Sequence, residues 1–578
     1  MLRVRRALAA CRAARTRIPR KTPIAPWVPL AALALLGATG PLALAGPLPD
    51  KDVVRVFGLL SPHAPTAQRQ RAIREVARAR DARFIAPLVD QMRFVGSRDE
   101  LLLIVETLKL LAGPAAPAAD WADMVVWLGS RPELKAPPGY VGWKGELHSA
   151  IDPRFAEFLR EGVSTVVRIE EVQWGGVPVD GIPALVNPRL SPARAATWLG
   201  DRDAVFGVSI NGDHRAYPLR ILDWHEMAND VVGGKPVALA YCTLCGSGVL
   251  YDATAGGRRF EFGSSGFLFR SNKLMYDRET RTLWNHLTGE PVIGPLVGSG
   301  IRLERLPVVV TSWGEWKREH PDTKVVDIKT GHNRPYDAGA AYGAYFASRG
   351  TMFPVWQKSR ALPEKARVFT LVLDGQGKAY ALEALDRAGG VLNDTFAGRP
   401  LVIHYRDAVG QVALPESWRS ALKKAGRGPV ASANDLVLAD ARAVIAGQPA
   451  IVRDLTAEAL LAMPTATRLP LLDDFTADAR HAPLRGEDLI DPRLRNEVAS
   501  RGLIGDTRAY ERGERRFRPG SARDALVDER GGVWRAADDA LIGPGGERLP
   551  RIPGQLAYWF GWFAFFPKTE LYGGEPAR

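Results

Sequence analysis

The chain has 578 residues, enough for three or four ordinary domains of about 150 residues each. With 46% hydrophobic and 24% charged residues it is too apolar for a disordered chain and too charged for a polytopic membrane protein. The net charge of +13 sits largely at one end: positions 1–45 hold eight basic residues and no acidic one, and the remainder carries 69 basic and 64 acidic residues, a net of +5. So small a surplus over more than 500 residues calls for no nucleic acid partner.

Residues 1–45 have the parts of an export signal or N-terminal anchor. A basic stretch (Arg3, Arg5, Arg6, Arg12, Arg15, Arg17, Arg20, Lys21) precedes an apolar run from Trp27 to Leu44, with Ala43 and Ala45 ahead of Gly46. Export to the periplasm or secretion is expected, with a membrane contact only if this segment stays uncleaved. Cys11 would leave with it, so two cysteines remain, Cys242 and Cys245, spaced C-x-x-C.

Residues 46–145 are expected to be helical, as a HEAT-like segment or a bundle, because Ile73, Val76, Phe84, Ile85, Leu88, Val89 and Met92 recur at helical spacing. Ser97 with Glu100 predicts a capping box before LLLIVETLKLL, and Gly113-Pro114 predicts its end. From residue 146 the period shifts to two, and short strands such as AVFGVSI and PVALAYC are bounded by turn residues. The fold class expected is therefore α+β, a helical segment followed by a predominantly β region.

That β region compares with itself. The segment from Val205 recurs from Val368, pairing Phe206 with Phe369, Gly212 with Gly375, Tyr217 with Tyr380, and Asn229-Asp230 with Asn393-Asp394. GGRRFEF near Arg258 and LWNHLTGEPVIGP from Leu283 find counterparts near Arg515 and from Val533, and Trp313, Trp316 and Thr323 meet Trp559, Trp562 and Thr569. This predicts a tandem pair, residues 146–345 and 346–578, the second interrupted by an insert at about 414–508. The framework residues persist in both, but the chemical ones do not. Opposite Cys242, Cys245, His225 and His286 stand Arg406, Val409, Ala388 or Gly389, and Ala536. Joint absence from one copy marks the four as one set in the other.

AYCTLCGSGVLYDA places the cysteines between two apolar strands, with Gly246 and Gly248 after them, so a hairpin turn is expected. Such a knuckle suits a thiol–disulfide or peroxide-type redox centre, with Cys242 or Cys245 as attacking thiolate and His225 or Glu226 as base. It equally suits a zinc or copper site completed by His225 and His286, with His214 or Asp223 as a further partner. An inert buried pair in a scaffold is the third reading. Met227 and Met275 read as core, and GSSG at Gly263–Gly266 as a glycine-rich turn able to hold an anion with Arg270, Ser271 and Asn272. The aromatic AYWFGWFAFFP reads as core before interface.

YCTLCGSGVLYD, then FGSSGFLFRSNKLMYDRETRTLWN, closely resembles the family known as domain of unknown function 3179, whose members read YCPLCGT, FGVSG, NSDLVMYDR and TGSLW. The resemblance runs from about Val172 to Asp327. Thr243 stands where that family commonly has Pro, and Arg281-Thr282 where it has Gly-Ser. The family implies no activity, so the expected cofactor is none, or zinc or copper, and the expected partner a protein or small-molecule redox partner of unknown identity.

Overall fold

The computed structural model describes residues 46–348, 350–406 and 504–574. The expected export segment and most of the expected insert lie outside the described residues. Helices dominate as far as Phe158 and strands follow, so the chain is α+β, and among the described residues no helix is long and apolar enough to cross a membrane.

The helical part comprises Asp50–Leu60, Thr66–Ala79, Ile85–Gln91, Arg98–Ala112, Trp121–Gly129, Tyr140–Ser149 and the short Phe155–Phe158. Ile73, Val76, Phe84, Ile85, Leu88 and Val89 are buried, as their spacing predicts. Ser97 caps Arg98–Ala112 by accepting from the Glu100 N–H at 3.2 Å, and Gly113 ends the helix at φ +85°. Glu100 does not complete the box: both its carboxylate oxygens take Arg69, at 2.7 and 2.9 Å, in a buried pair that ties Thr66–Ala79 to Arg98–Ala112. A buried carboxylate needs a cation more than the helix end needs a second cap. This helical layer shares one core with a five-stranded sheet ordered Val172–Trp174, Phe262–Phe269, Asn272–Asp277, Leu283–Asn285, Pro291–Ile293, with Phe155 and Phe267 rings 4.6 Å apart.

GSSG is not a turn. It lies inside the strand Phe262–Phe269, whose register against Asn272–Asp277 shifts between Ser264 and Leu268; the chain reverses instead at Arg270 and Ser271, both at positive φ. The flanking apolar residues Phe262, Phe267 and Phe269 are buried and hold the glycines in the sheet.

Two further sheets complete the first half. One runs Arg305–Leu306, Ser247–Asp252, Lys235–Cys242, Met227–Val232, Leu185–Val186; the other runs Val309–Ser312, Ala204–Ile210, Asp213–Pro218, Lys324–Val326, Leu190–Pro192. In the second half, Gln555–Tyr558, Arg367–Leu373, Gln376–Ala381 and Glu570–Tyr572 make a four-stranded sheet with the same alternation of two antiparallel pairings and one parallel pairing as Val309–Ser312, Ala204–Ile210, Asp213–Pro218 and Lys324–Val326. The other sheet of this half has eight strands and begins Val391–Phe396, Arg399–Arg406, Asp506–Glu511.

Side-chain bonds recur as well. Tyr217 donates to Asp230 at 2.7 Å and Tyr380 to Asp394 at 2.8 Å. Asn229 exchanges two bonds with the Phe262 backbone, and Asn393 does the same with Phe517. Trp284 Nε1 donates to Asp277 and Trp534 Nε1 to Asp528; Trp316 Nε1 donates to Thr323 and Trp562 Nε1 to Thr569. Phe517 thus makes the same two bonds as Phe262, two residues along from the match that the shared Arg-Arg-Phe string suggests. The strand Asp506–Glu511 is already paired where the insert was expected to close at Arg508, with Arg406 opposite Asp506. Burial of Arg406, Asp506 and Arg508 as one ion cluster with Glu319 holds this junction.

Candidate functional site

Lys235–Cys242 and Ser247–Asp252 form the hairpin that the glycines and apolar alternation predict, with Cys242 opposite Ser247 and Cys245 in the intervening turn. Gly246 has φ +56°, and a Cβ there would meet the Tyr558 ring at 2.9 Å, so the turn closes only with glycine. Both cysteines are free thiols, exposed by no more than 1%. Cys245 Sγ lies 3.4 Å from the Ser271 carbonyl.

Burial opposes ionisation of either thiol, and the Glu226 carboxylate adds to it. At Cys242 the hydrogen bond with Cys245, helped by the Lys273 and Cys245 backbone N–H groups, outweighs both, and its pKa lies below that of an ordinary thiol. At Cys245 burial and the neighbouring Cys242 act together, and its pKa is pushed well up. The pair therefore consists of one sulfur disposed to lose its proton and one disposed to keep it.

Glu226 reaches this pair because it ends the helix Leu219–His225 in a left-handed conformation, φ +54°, which turns the chain into the strand Met227–Val232. Its carboxylate accepts from Thr243 Oγ1 at 3.0 Å and faces Lys273 Nζ at 3.4 Å, while Lys273 also donates to the Glu226 carbonyl at 3.1 Å. Glu226 and Lys273 are both at least 95% buried. The sequence pointed to His225 or Glu226 as base; the structure sets Glu226 and Lys273 beside the sulfurs.

His225 and His286 are engaged elsewhere. His225 Nδ1 lies 2.8 Å from the Pro183 carbonyl and Nε2 2.6 Å from the Tyr336 hydroxyl, and burial pushes its pKa down to about 4. His286 Nδ1 lies 2.9 Å from Asn272 Oδ1 and Nε2 3.1 Å from the Ala240 carbonyl, with its pKa pushed down to about 3 by burial and then by Lys273. Cys242, Cys245, His225 and His286 do not converge into one donor set; among the described residues the one cluster of metal-type donors is His214, His320 and Asp538. Met227 and Met275 are fully buried in an apolar cluster, as expected of core residues.

Residues far along the chain close the knuckle. Tyr345 Oη donates to the Leu244 carbonyl at 2.6 Å, the Tyr558 N–H donates to the Cys245 carbonyl at 2.7 Å, and a Cβ on Gly561 would meet Cys245 Sγ at 3.0 Å. Lys273, Tyr345, Tyr558 and Gly561 escaped the sequence reading. Tyr558 and Gly561 belong to AYWFGWFAFFP, and only the pairing of Arg367–Leu373 with Gln555–Tyr558 brings that string toward the cysteines. Around the sulfurs, the buried atoms Tyr241 Oη, Ser247 Oγ, Ser271 Oγ and Asn272 Nδ2 have no hydrogen-bond partner among the described residues.

No curated protein and no solved structure matches the chain. A family model described as "Protein of unknown function (DUF3179)" matches residues 179–460, which begins within the stretch where the resemblance was read and continues well past its expected end. The hairpin with its two cysteines lies wholly inside those residues, and it is this part of the chain that matches the DUF3179 family.

Proposed function

We propose that Cys242 and Cys245 form a buried dithiol redox centre, in an exported protein, that reacts with a small hydroperoxide. One observation carries the reading: Cys242 and Cys245 are two free thiols in one buried hairpin turn, and the Glu226–Lys273 pair is bonded to that turn through Thr243. Burial of the thiols favours a small oxidant over a protein disulfide, whose sulfur has no path to atoms exposed by 1% or less. The four unpartnered polar atoms beside the pair offer hydrogen bonds to a hydroxylic molecule.

In the first step the Cys242 thiolate attacks the distal oxygen of ROOH. An S–O bond forms, the O–O bond breaks, and the leaving alkoxide takes a proton, giving a sulfenic acid and ROH. Cys245 then attacks that sulfur, an S–S bond forms, and water leaves with the Cys245 proton. An external dithiol returns two electrons and two protons to restore the pair. Glu226 is placed to pass protons and Lys273 to hold its charge. We read the second half as a degenerate copy of the first; the recurring Tyr–Asp, Asn–Phe, Trp–Asp and Trp–Thr bonds support a duplication whose second member lost the sulfurs and covers those of the first. The basic and apolar sequence of residues 1–45 supports export.

The test is mass analysis of the peptide containing both cysteines after brief exposure of the native chain to stoichiometric hydrogen peroxide. Loss of two hydrogens is expected, and in the Cys245→Ser chain a dimedone adduct on Cys242. Two intact thiols after treatment would make the pair architectural.

A further inference from the structure

A second cluster lies apart from the sulfurs, where the two halves meet. His214 comes from the strand Asp213–Pro218, His320 follows the helix Trp313–Glu319, and Asp538 comes from the turn between Val533–Ala536 and Ala540–Ile542. Each offers one donor atom, and the three atoms lie within 4.8 Å of one another. His320 Nε2 is 3.4 Å and His214 Nδ1 4.0 Å from the same oxygen, Asp538 Oδ2. Both nitrogens are buried, and neither has a well-formed hydrogen-bond partner among the described residues.

The rest of the cluster is already satisfied. Asp538 Oδ1 faces Arg508 at 3.8 Å, and the Asp538 carbonyl accepts from Arg551 at 3.0 Å. Arg508 is itself balanced by Asp506 and Glu319. Thr323 fixes the scaffold by accepting from Trp316 Nε1 and donating to the His214 carbonyl, and the His320 ring sits 4.1 Å from the Trp316 ring.

The corresponding place in the second half shows what packing alone requires. There Trp562 Nε1 donates to Thr569, Phe566 sits 4.0 Å from the Trp562 ring, and Gly377 lies beneath them. A phenyl ring and a glycine fill that core, whereas here two imidazoles stacked with their centroids 4.1 Å apart bring two ring nitrogens to one carboxylate oxygen. Zinc bound at about 2.0–2.1 Å by tetrahedral ligands separates neighbouring ligand atoms by roughly 3.3 Å, close to the His320–Asp538 spacing.

We propose that His214, His320 and Asp538 bind one divalent transition ion of the zinc class, with solvent completing its shell, and that the ion clamps the second half to the first. The proposal is independent of the cysteine chemistry. It is tested by titrating Zn(II) into chelator-treated full-length chain by calorimetry. One site is expected in the parent and in the Cys242→Ser/Cys245→Ser chain, weakened at least about tenfold by His320→Phe and by Asp538→Asn. His320→Phe installs the ring that the second half already packs, and the urea midpoint of each metal-free variant checks folding; Asp538→Asn carries the test should His320→Phe misfold. Absence of Zn(II) binding by the parent, binding undiminished in the folded variants, or binding lost with the cysteines would overturn the proposal.

Discussion

Replacing Lys273 by Met tests the polar environment of the thiols most directly. Lys273 Nζ lies 3.4 Å from Glu226 Oε2, and the two side chains are 4% and 7% exposed. At an effective dielectric of about 20, charges at that separation attract by about 5 kcal/mol, most of which offsets their desolvation. Lys273→Met leaves the Glu226 carboxylate buried and uncompensated and is expected to cost about 3–5 kcal/mol. Lys273→Met with Glu226→Gln removes both charges and should recover most of that loss, giving a coupling energy of about 3 kcal/mol. The carboxylate raises the pKa of both thiols, so the single variant should also contain less Cys242 thiolate at neutral pH and the double variant more. Urea unfolding of the four chains gives the energies, and the pH dependence of Cys242 mixed-disulfide formation with a small methanethiosulfonate gives the thiol shift. A single variant as stable as the parent, or a double variant no better than the single, would refute the coupling.

Gly561→Ala drives a methyl to 2.9 Å from Cys245 Cβ and 3.0 Å from its sulfur, and should destabilise the chain by about 1–3 kcal/mol while speeding alkylation of the knuckle. Unchanged stability and alkylation would show that the second half does not hold the cysteine turn. Burial lowers the pKa of His148, His286 and His404 to about 3 and of His225 to about 4. Their folded pKa values lie below the unfolded 6.5, so the unfolded chain binds more protons in between. The stability held above pH 6.5 is therefore lost as pH falls toward 4, at up to about 1.4 kcal/mol per unit for each histidine. Urea midpoints at neutral pH and near pH 5 measure the slope, and a flat profile would contradict the burial of these imidazoles.

Local patterns were enough to read the helices, the Ser97 cap, the hairpin carrying Cys242 and Cys245, and the burial of Met227 and Met275, because each depends on residues near in sequence. Periodicity decides which face is apolar, and small residues decide where a chain turns. The diversion of Glu100 to Arg69, the strand through Gly263–Gly266 and the pairing of Asp506 with Arg406 depend on partners brought together by packing. So does the site. His225 and Glu226 are neighbours in sequence, yet the left-handed turn at Glu226 sends one side chain toward Tyr336 and the other toward Thr243 and Lys273. Composition alone shows a carboxylate, an amine and two thiols; only the fold buries them together, and burial at short range turns common side chains into a coupled set.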